Sequence, residues 1–211
     1  LSAARARLLG LHVLADDAPS WKLDPVEQAQ AACRGGATVV QLRAKLAGDR
    51  EALEWARAIR ALTRAAGALF VVNDRFDLAL AAEADGVHLG QEDLPPARIP
   101  TRFRGQLLVG RSSHDLSQAR AARSEGVDYL AFGPVFGTRS KSSPYDARGI
   151  EALAEVVRAV APLPTVAIGG IGPDNVRAVV PTGAGVAVIS AVARADDPET
   201  ATRALVRALA R

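Results

Sequence analysis

Hydrophobic and polar positions alternate between two periods along this chain. Short apolar runs rich in β-branched residues recur at LHVLAD (11–16), VVQLR (39–43), LFVVND (69–74), GVHLG (86–90), LLVGRS (107–112), YLAFGPV (129–135), TVAIGGI (165–171) and GVAVISAV (185–192). Several are nearly continuous in apolar residues, which predicts parallel strands covered on both faces. Between them lie alanine-rich stretches with helical spacing: DPVEQAQAACRG, REALEWARAIRALTRAAG, DLALAAEA, SQARAARSEG, GIEALAEVVRAVA and DNVRAVVPTG, with PETATRALVRALAR after the last strand. Leu53, Ala56, Ile59, Ala61 and Leu62 mark one such amphipathic face. QEDLPPARIP, after the fourth run, is broken by prolines and has room for a short helix at most.

Eight strand-helix units in 211 residues predict an α/β fold, a (β/α)8 TIM barrel filling residues 1–211 as a single domain. An open doubly wound sheet uses the same units, but the first strand leads into ADDAPSWKLDP without the glycines of a dinucleotide fingerprint. With 49% hydrophobic and 23% charged residues the chain is neither disordered nor collagen-like. Aromatic residues make up only 4%, so the core falls to Ala, Val, Leu and Ile, and stacking platforms for single-stranded nucleic acid are scarce. The net charge of +3 comes from arginines scattered along helices, which argues against a nucleic-acid partner and for local anion sites. No apolar run approaches the ~18 residues of a membrane span, and LSAARARLLGLHV lacks a cleavage-site pattern, so a cytoplasmic protein without a membrane partner is expected. The single cysteine, Cys33, sits in a helical pattern as a small packed residue. A homo-oligomer is compatible with all of this.

Active sites of such barrels lie at the carboxyl ends of the strands. The polar clusters of this chain fall there: Gln41-Leu42-Arg43-Ala44-Lys45, Asn73-Asp74, Gln91-Glu92-Asp93, Ser112-Ser113-His114, Thr138-Arg139-Ser140-Lys141, Gly169-Gly170 and Ser190. Seven of the eight strand ends thus carry chemistry. Gly169-Gly170-Ile171-Gly172 and Ile189-Ser190-Ala191, after the last two strands, fit a backbone-amide phosphate site, although the glycines alone also fit a tight turn. Asp74 and Asp93 end adjacent strands. Two carboxylates completed by substrate phosphates suit Mg2+, while either acid alone also suits a cap. Arg43 and Lys45 beside them and Lys141 across the rim would oppose a diphosphate, and Gln41 and Asn73 offer neutral hydrogen bonds. That layout suggests two phosphorylated small molecules joined with loss of pyrophosphate.

His12 and His88 lie within strand patterns and are expected to be packed, whereas His114 faces the site and could move a proton. There is neither a nucleophile elbow for a Ser-His triad nor a His/Cys cluster for zinc. The longest connection, from Phe136 to Gly149, carries Thr138, Ser140 and Lys141 and reads as a closing lid.

VVQLRAK, VVNDRFDLALAAEADGVHLGQEDLP, GRSSH, GVDYLAFGPVFGTRSK, AIGGIGPDNV and GVAVISAV resemble, in order and spacing, the thiamine-phosphate synthase family and its TenI-like relatives, from about Leu11 to Val192. The resemblance implies a (β/α)8 barrel that joins hydroxymethylpyrimidine diphosphate to thiazole phosphate, making thiamine phosphate and pyrophosphate. It implies a pyrimidine-diphosphate site at Gln41, Leu42, Arg43, Ala44, Lys45, Asn73, Ser112 and Lys141, with Mg2+ on Asp74 and Asp93. The thiazole phosphate would lie against Thr138, Arg139, Ser140, Gly170, Ile189 and Ser190. The diphosphate would leave first, so no protein nucleophile is needed. Arg43, Lys45, Ser112, His114 and Lys141 are the expected catalytic side chains. The chain departs from the synthase pattern at Gly137 and Ser140, where synthases carry Pro and Thr. Arg111, Phe132 and DARGI look more like TenI-type proteins, which implies the alternatives of a thiazole tautomerase using His114 or a non-catalytic regulatory relative. A tautomerase has no use for Asp74, Asp93 and Lys45 together, which favours the synthase.

Overall fold

Alternate residues of each strand face opposite layers, and the computed structural model shows both layers filled. It describes residues 3–137 and 145–210. The strands are β1 (Leu11–Asp16), β2 (Val39–Arg43), β3 (Leu69–Asn73), β4 (Gly86–Leu89), β5 (Leu108–Ser113), β6 (Tyr129–Phe132), β7 (Thr165–Ile168) and β8 (Gly185–Val188). All pair in parallel with their neighbours in chain order, and β8 pairs with β1 to close the barrel. The expected (β/α)8 barrel is therefore the observed one.

The helices are α1 (Ala3–Leu8), α2 (Pro25–Gly35), α3 (Asp49–Ala66), α4 (Phe76–Ala81), α5 (Thr101–Arg104), α6 (Leu116–Ser124), α7 (Gly149–Val160), α8 (Val176–Val179), α9 (Ser190–Ala193) and α10 (Pro198–Leu209). Local chemistry sets several of their starts. Asp24 and Glu27 form a reciprocal capping box on α2 with Pro25 in its first turn, and Asp115 and Asp197 cap α6 and α10. Val40, Leu42, Phe70, Val72 and Leu130 point outward into the layer shared with the helices, where Ile59 of α3 and Leu205 of α10 are fully buried. Leu14, Val39, Val71, Tyr129 and Val166 point inward, and Leu8 of α1 joins them before the start of β1. Among the described residues no helix is long and apolar enough to cross a membrane.

Several strands end earlier than their apolar runs. β6, β7 and β8 stop at Phe132, Ile168 and Val188, and Ser190–Ala193 is the short helix α9. Val135, Ile171 and Ile189, beyond those ends, remain buried in loops, so the apolar pattern runs past the hydrogen-bonded ladder. DNVRAVV yields only the four residues of α8, followed by a 3-10 turn at Val180–Thr182. α1 had no counterpart in the expected elements.

Candidate active site

The inward positions at the carboxyl end of the barrel are polar. They surround a cavity of about 200 Å3 lined by Gln41, Ser112, His114, Gly170, Ile189 and Ser190, all expected at the site, together with His12, His88, Tyr129 and Tyr145. His88 ties the floor together. Its Nδ1 lies 3.0 Å from the Tyr129 hydroxyl and its Nε2 2.9 Å from Ser112 Oγ. This network orients Ser112, and its members meet because parallel pairing sets β4, β5 and β6 side by side. The Gln41 amide oxygen is buried without a hydrogen-bond partner among the described residues. An unmet buried acceptor costs about 1–3 kcal/mol, which a donor on a bound ligand would recover. Asn73 ends β3 on the same inward face, in register with His88.

The Leu42 and Ala44 side chains stand apart from the cavity. Alternation along β2 turns Leu42 away from the face of Gln41 and Arg43 into the outer layer, where it is wholly buried, and Ala44 packs partly buried against the same cluster. Thr138, Arg139, Ser140 and Lys141 lie outside the described residues, as does most of the expected lid. From the far end of that connection, Tyr145 stacks on the His114 ring with centroids 3.9 Å apart. His114 Nδ1 lies 2.6 Å from the Gly133 carbonyl, fixing the ring beside the cavity.

Asp74, Asp93 and Lys45 come together at the rim. Lys45 Nζ pairs with Asp74 Oδ2, and the two carboxyls touch. Burial, with the Asp93 carboxyl against it, raises the Asp74 pKa; despite some burial, hydrogen bonds from Asp74 and from the Gly90 N–H hold Asp93 low. The two carboxyls therefore pull apart in opposite directions, Asp74 up and Asp93 down, as expected of like groups in contact. Asp74 adopts a left-handed backbone, φ 66°, rare outside glycine. It does not cap α4, whose N-cap is Arg75 with no side-chain cap bond. Asp93 does close its own turn, accepting from Gly90 N at 2.6 Å. Arg111 braces the same turn through the Gly90 carbonyl at 2.6 Å.

The donor set fits a hard divalent cation. Two carboxylates converge beside a cation-lined rim, and among the described residues no group of three or more His, Cys, Asp or Glu could hold a metal by itself. An ion there would complete its shell with substrate oxygens and water, the habit of Mg2+.

Arg43 is not a free cation: its NH1 donates to Asp16 Oδ2 at 2.5 Å. Asp16 was missed from sequence because its partner is 27 residues away, although β1–β2 register places the two side by side. On the opposite side, Gly169 and Gly170 have φ of 101° and 66°, and a Cβ on Gly170 would lie 2.4 Å from the Gly137 carbonyl. The turn and the close approach both require glycine. Cys33 is partly buried and burial pushes its thiol up to about 11, so it stays protonated and packed.

A parallel eight-stranded barrel with cations, paired carboxylates and glycine loops at its carboxyl rim defines a phosphate-handling (β/α)8 protein. A family model described as thiamine monophosphate synthase matches residues 11–192. The thiamine-phosphate synthase of Anaeromyxobacter dehalogenans is 52% identical over 198 residues, covering 93% of this chain and 86% of that protein. That of Chlorobium phaeovibrioides is 47% identical over 188 residues, covering 88% and 89%. Among solved structures, the thiamine phosphate pyrophosphorylase of Pyrococcus furiosus superposes with a TM-score of 0.87 at 42% identity, covering 97% of this chain and 96% of that one. The chain belongs to the thiamine monophosphate synthase family.

Proposed function

We propose that this protein is a transferase that joins hydroxymethylpyrimidine diphosphate to thiazole phosphate, producing thiamine phosphate and pyrophosphate. The contact of Lys45, Asp74 and Asp93 at one rim, a cation beside two carboxyls as a metal-diphosphate site needs, carries the reading. The carbon–oxygen bond between the pyrimidine methylene and the diphosphate breaks with its electron pair leaving on the diphosphate. The thiazole ring nitrogen then supplies the pair for the new carbon–nitrogen bond. Asp74 and Asp93 would hold Mg2+, which would supply neutralising positive charge to the diphosphate. Arg43 and Lys45 oppose the same charge, and Lys141 is assigned to it by the family pattern. Gln41 offers its unmet amide oxygen to the pyrimidine, with Asn73 and Ser112 beside it. Gly170, Ile189 and Ser190, with Thr138, Arg139 and Ser140, receive the thiazole phosphate.

A second reading, isomerisation of thiazole phosphate, has in its favour that His114 lines the cavity with its ring fixed by Gly133 and Tyr145. Purified protein given both synthase substrates and Mg2+ decides between them. Thiamine phosphate and pyrophosphate in equal amounts are expected. No condensation, together with conversion of a thiazole carboxylate phosphate to its aromatic tautomer, would overturn the synthase in favour of the isomerase.

A further inference from the structure

β1 is the strand whose end had no site chemistry assigned to it, yet two consecutive acids stand there, Asp16 as its last residue and Asp17 directly after. Asp16 is 2% exposed and faces inward, level with Arg43 on β2. Its Oδ1 accepts from Trp21 Nε1 at 2.6 Å and from the Ala18 N–H at 3.0 Å; its Oδ2 accepts from Arg43 NH1 at 2.5 Å. The backbone behind it is anchored to α2, because the buried Gln28 side chain bonds both the N–H and the carbonyl of Asp16, at 3.1 and 2.9 Å. A carboxylate this fully engaged on a fixed backbone leaves Arg43 one direction. The guanidinium still has donors to spare, and its side chain keeps 19% of its exposure.

Asp17 does the complementary task for the next cation. Its Oδ1 accepts from the Lys45 N–H at 2.9 Å, and its Oδ2 accepts from the Leu46 and Ala47 N–H groups at 2.7 and 2.9 Å. This loop has little apolar anchoring, since Leu46 is 69% exposed. Three bonds to one carboxylate therefore set the backbone from which Lys45 reaches Asp74.

We propose that Asp16 and Asp17 are positioning residues for the diphosphate half of the site, Asp16 aiming the Arg43 guanidinium and Asp17 fixing the backbone that carries Lys45. Neither touches substrate. The proposal rests on the reading above that Arg43 and Lys45 oppose a diphosphate. A fixed cation needs no reordering when the ligand arrives, whereas a loose one gives up rotamer freedom at that moment.

Double-variant cycles with Asp16→Asn, Arg43→Ala, Asp17→Asn and Lys45→Ala test it, read by calorimetric binding of inorganic pyrophosphate with Mg2+ and by initial rates. Asp16→Asn keeps an acceptor for Trp21 but turns an amide donor toward Arg43. Asp17→Asn does the same to the loop N–H groups at a more exposed position, and stands on its own if Asp16→Asn does not fold. Each is expected to weaken pyrophosphate binding and raise KM for the diphosphate substrate by about 10–100-fold, leaving KM for the thiazole phosphate within about twofold. Asp16→Asn should add little to Arg43→Ala, and Asp17→Asn little to Lys45→Ala. Additive losses, or equal losses toward both substrates, overturn the positioning role. Intact coupling in pyrophosphate binding by a protein that makes no thiamine phosphate sinks the synthase reading and supports the positioning role; product formation with additive losses does the reverse. A wild-type protein that binds no pyrophosphate overturns both.

Discussion

Asp74 and Asp93 meet at the rim as partly buried carboxyls, with Lys45 Nζ paired to Asp74 Oδ2 beside them. Their value to the chemistry should exceed that of His114, which a dissociative condensation does not require. Asp93→Ala is expected to lower the condensation rate by at least about 100-fold, and His114→Ala by less than about 10-fold. Steady-state rates at saturating Mg2+ check the ranking, and the reverse order would point to proton transfer at His114. His12 makes a separate prediction about stability. Burial disfavours its charged form, the Leu8 carbonyl at 2.8 Å only partly opposes this, and the pKa falls from 6.5 to about 4. The unfolded chain therefore takes up a proton near pH 6.5 that the folded one refuses until about pH 4. The stabilisation is complete above the unfolded value and is lost as pH falls through this window, about 3 kcal/mol in all. His12→Gln, which keeps a donor for Leu8 and cannot titrate, should show a correspondingly shallower loss in urea unfolding between pH 7 and 4. A loss as steep as that of the wild type would contradict it.

Among the elements, β5 shows how tightly the barrel interior is built around its polar floor. A Cβ on Gly110 would lie 2.2 Å from Tyr129 Cζ and 2.5 Å from His88 Nδ1, so the glycine is what lets those two side chains meet. Gly110→Ala is expected to cost about 1–3 kcal/mol by overpacking and to disturb Ser112 through His88. Thermal unfolding measures the first effect; an unchanged midpoint would show that the interior has slack. The strand ends were also where the sequence was most and least legible. β1 and β2 coincide with LHVLAD and VVQLR because each run closes on a charged residue, Asp16 and Arg43. β8 does not coincide with GVAVISAV, because Ile189 and Val192 stay buried after the ladder stops. Gln41, Ser112, His114, Gly170 and Ser190 were legible as cavity residues because strand ends converge in a barrel wherever their neighbours are. Asp16 with Arg43, and His88 with Tyr129 and Ser112, were not, since those partners meet only through the register of neighbouring strands. The Leu42 side chain lies apart from the cavity residues for a simpler reason: alternation along the strand turns every second residue outward.

On the scale of the whole molecule, the barrel divides its rim by charge. Lys45, Asp74 and Asp93 extend from the β2, β3 and β4 ends, with Arg43 held by Asp16 beside them, while glycine turns follow β7 and Ile189-Ser190 follows β8. The cavity with Gln41, Ser112 and His114 lies between these two groups of loops. A net charge of +3 spread over 211 residues is small; what a diphosphate would meet is the local cluster of Arg43 and Lys45 beside the two rim carboxyls. The most direct test is pyrophosphate release by the wild-type protein, with both substrates saturating, as Mg2+ is titrated into a chelator-treated sample. Release should be negligible without the ion, rise to saturation as it is added, and match thiamine phosphate formed mole for mole. Undiminished release in the presence of chelator, or no pyrophosphate at any Mg2+ concentration, would contradict the account.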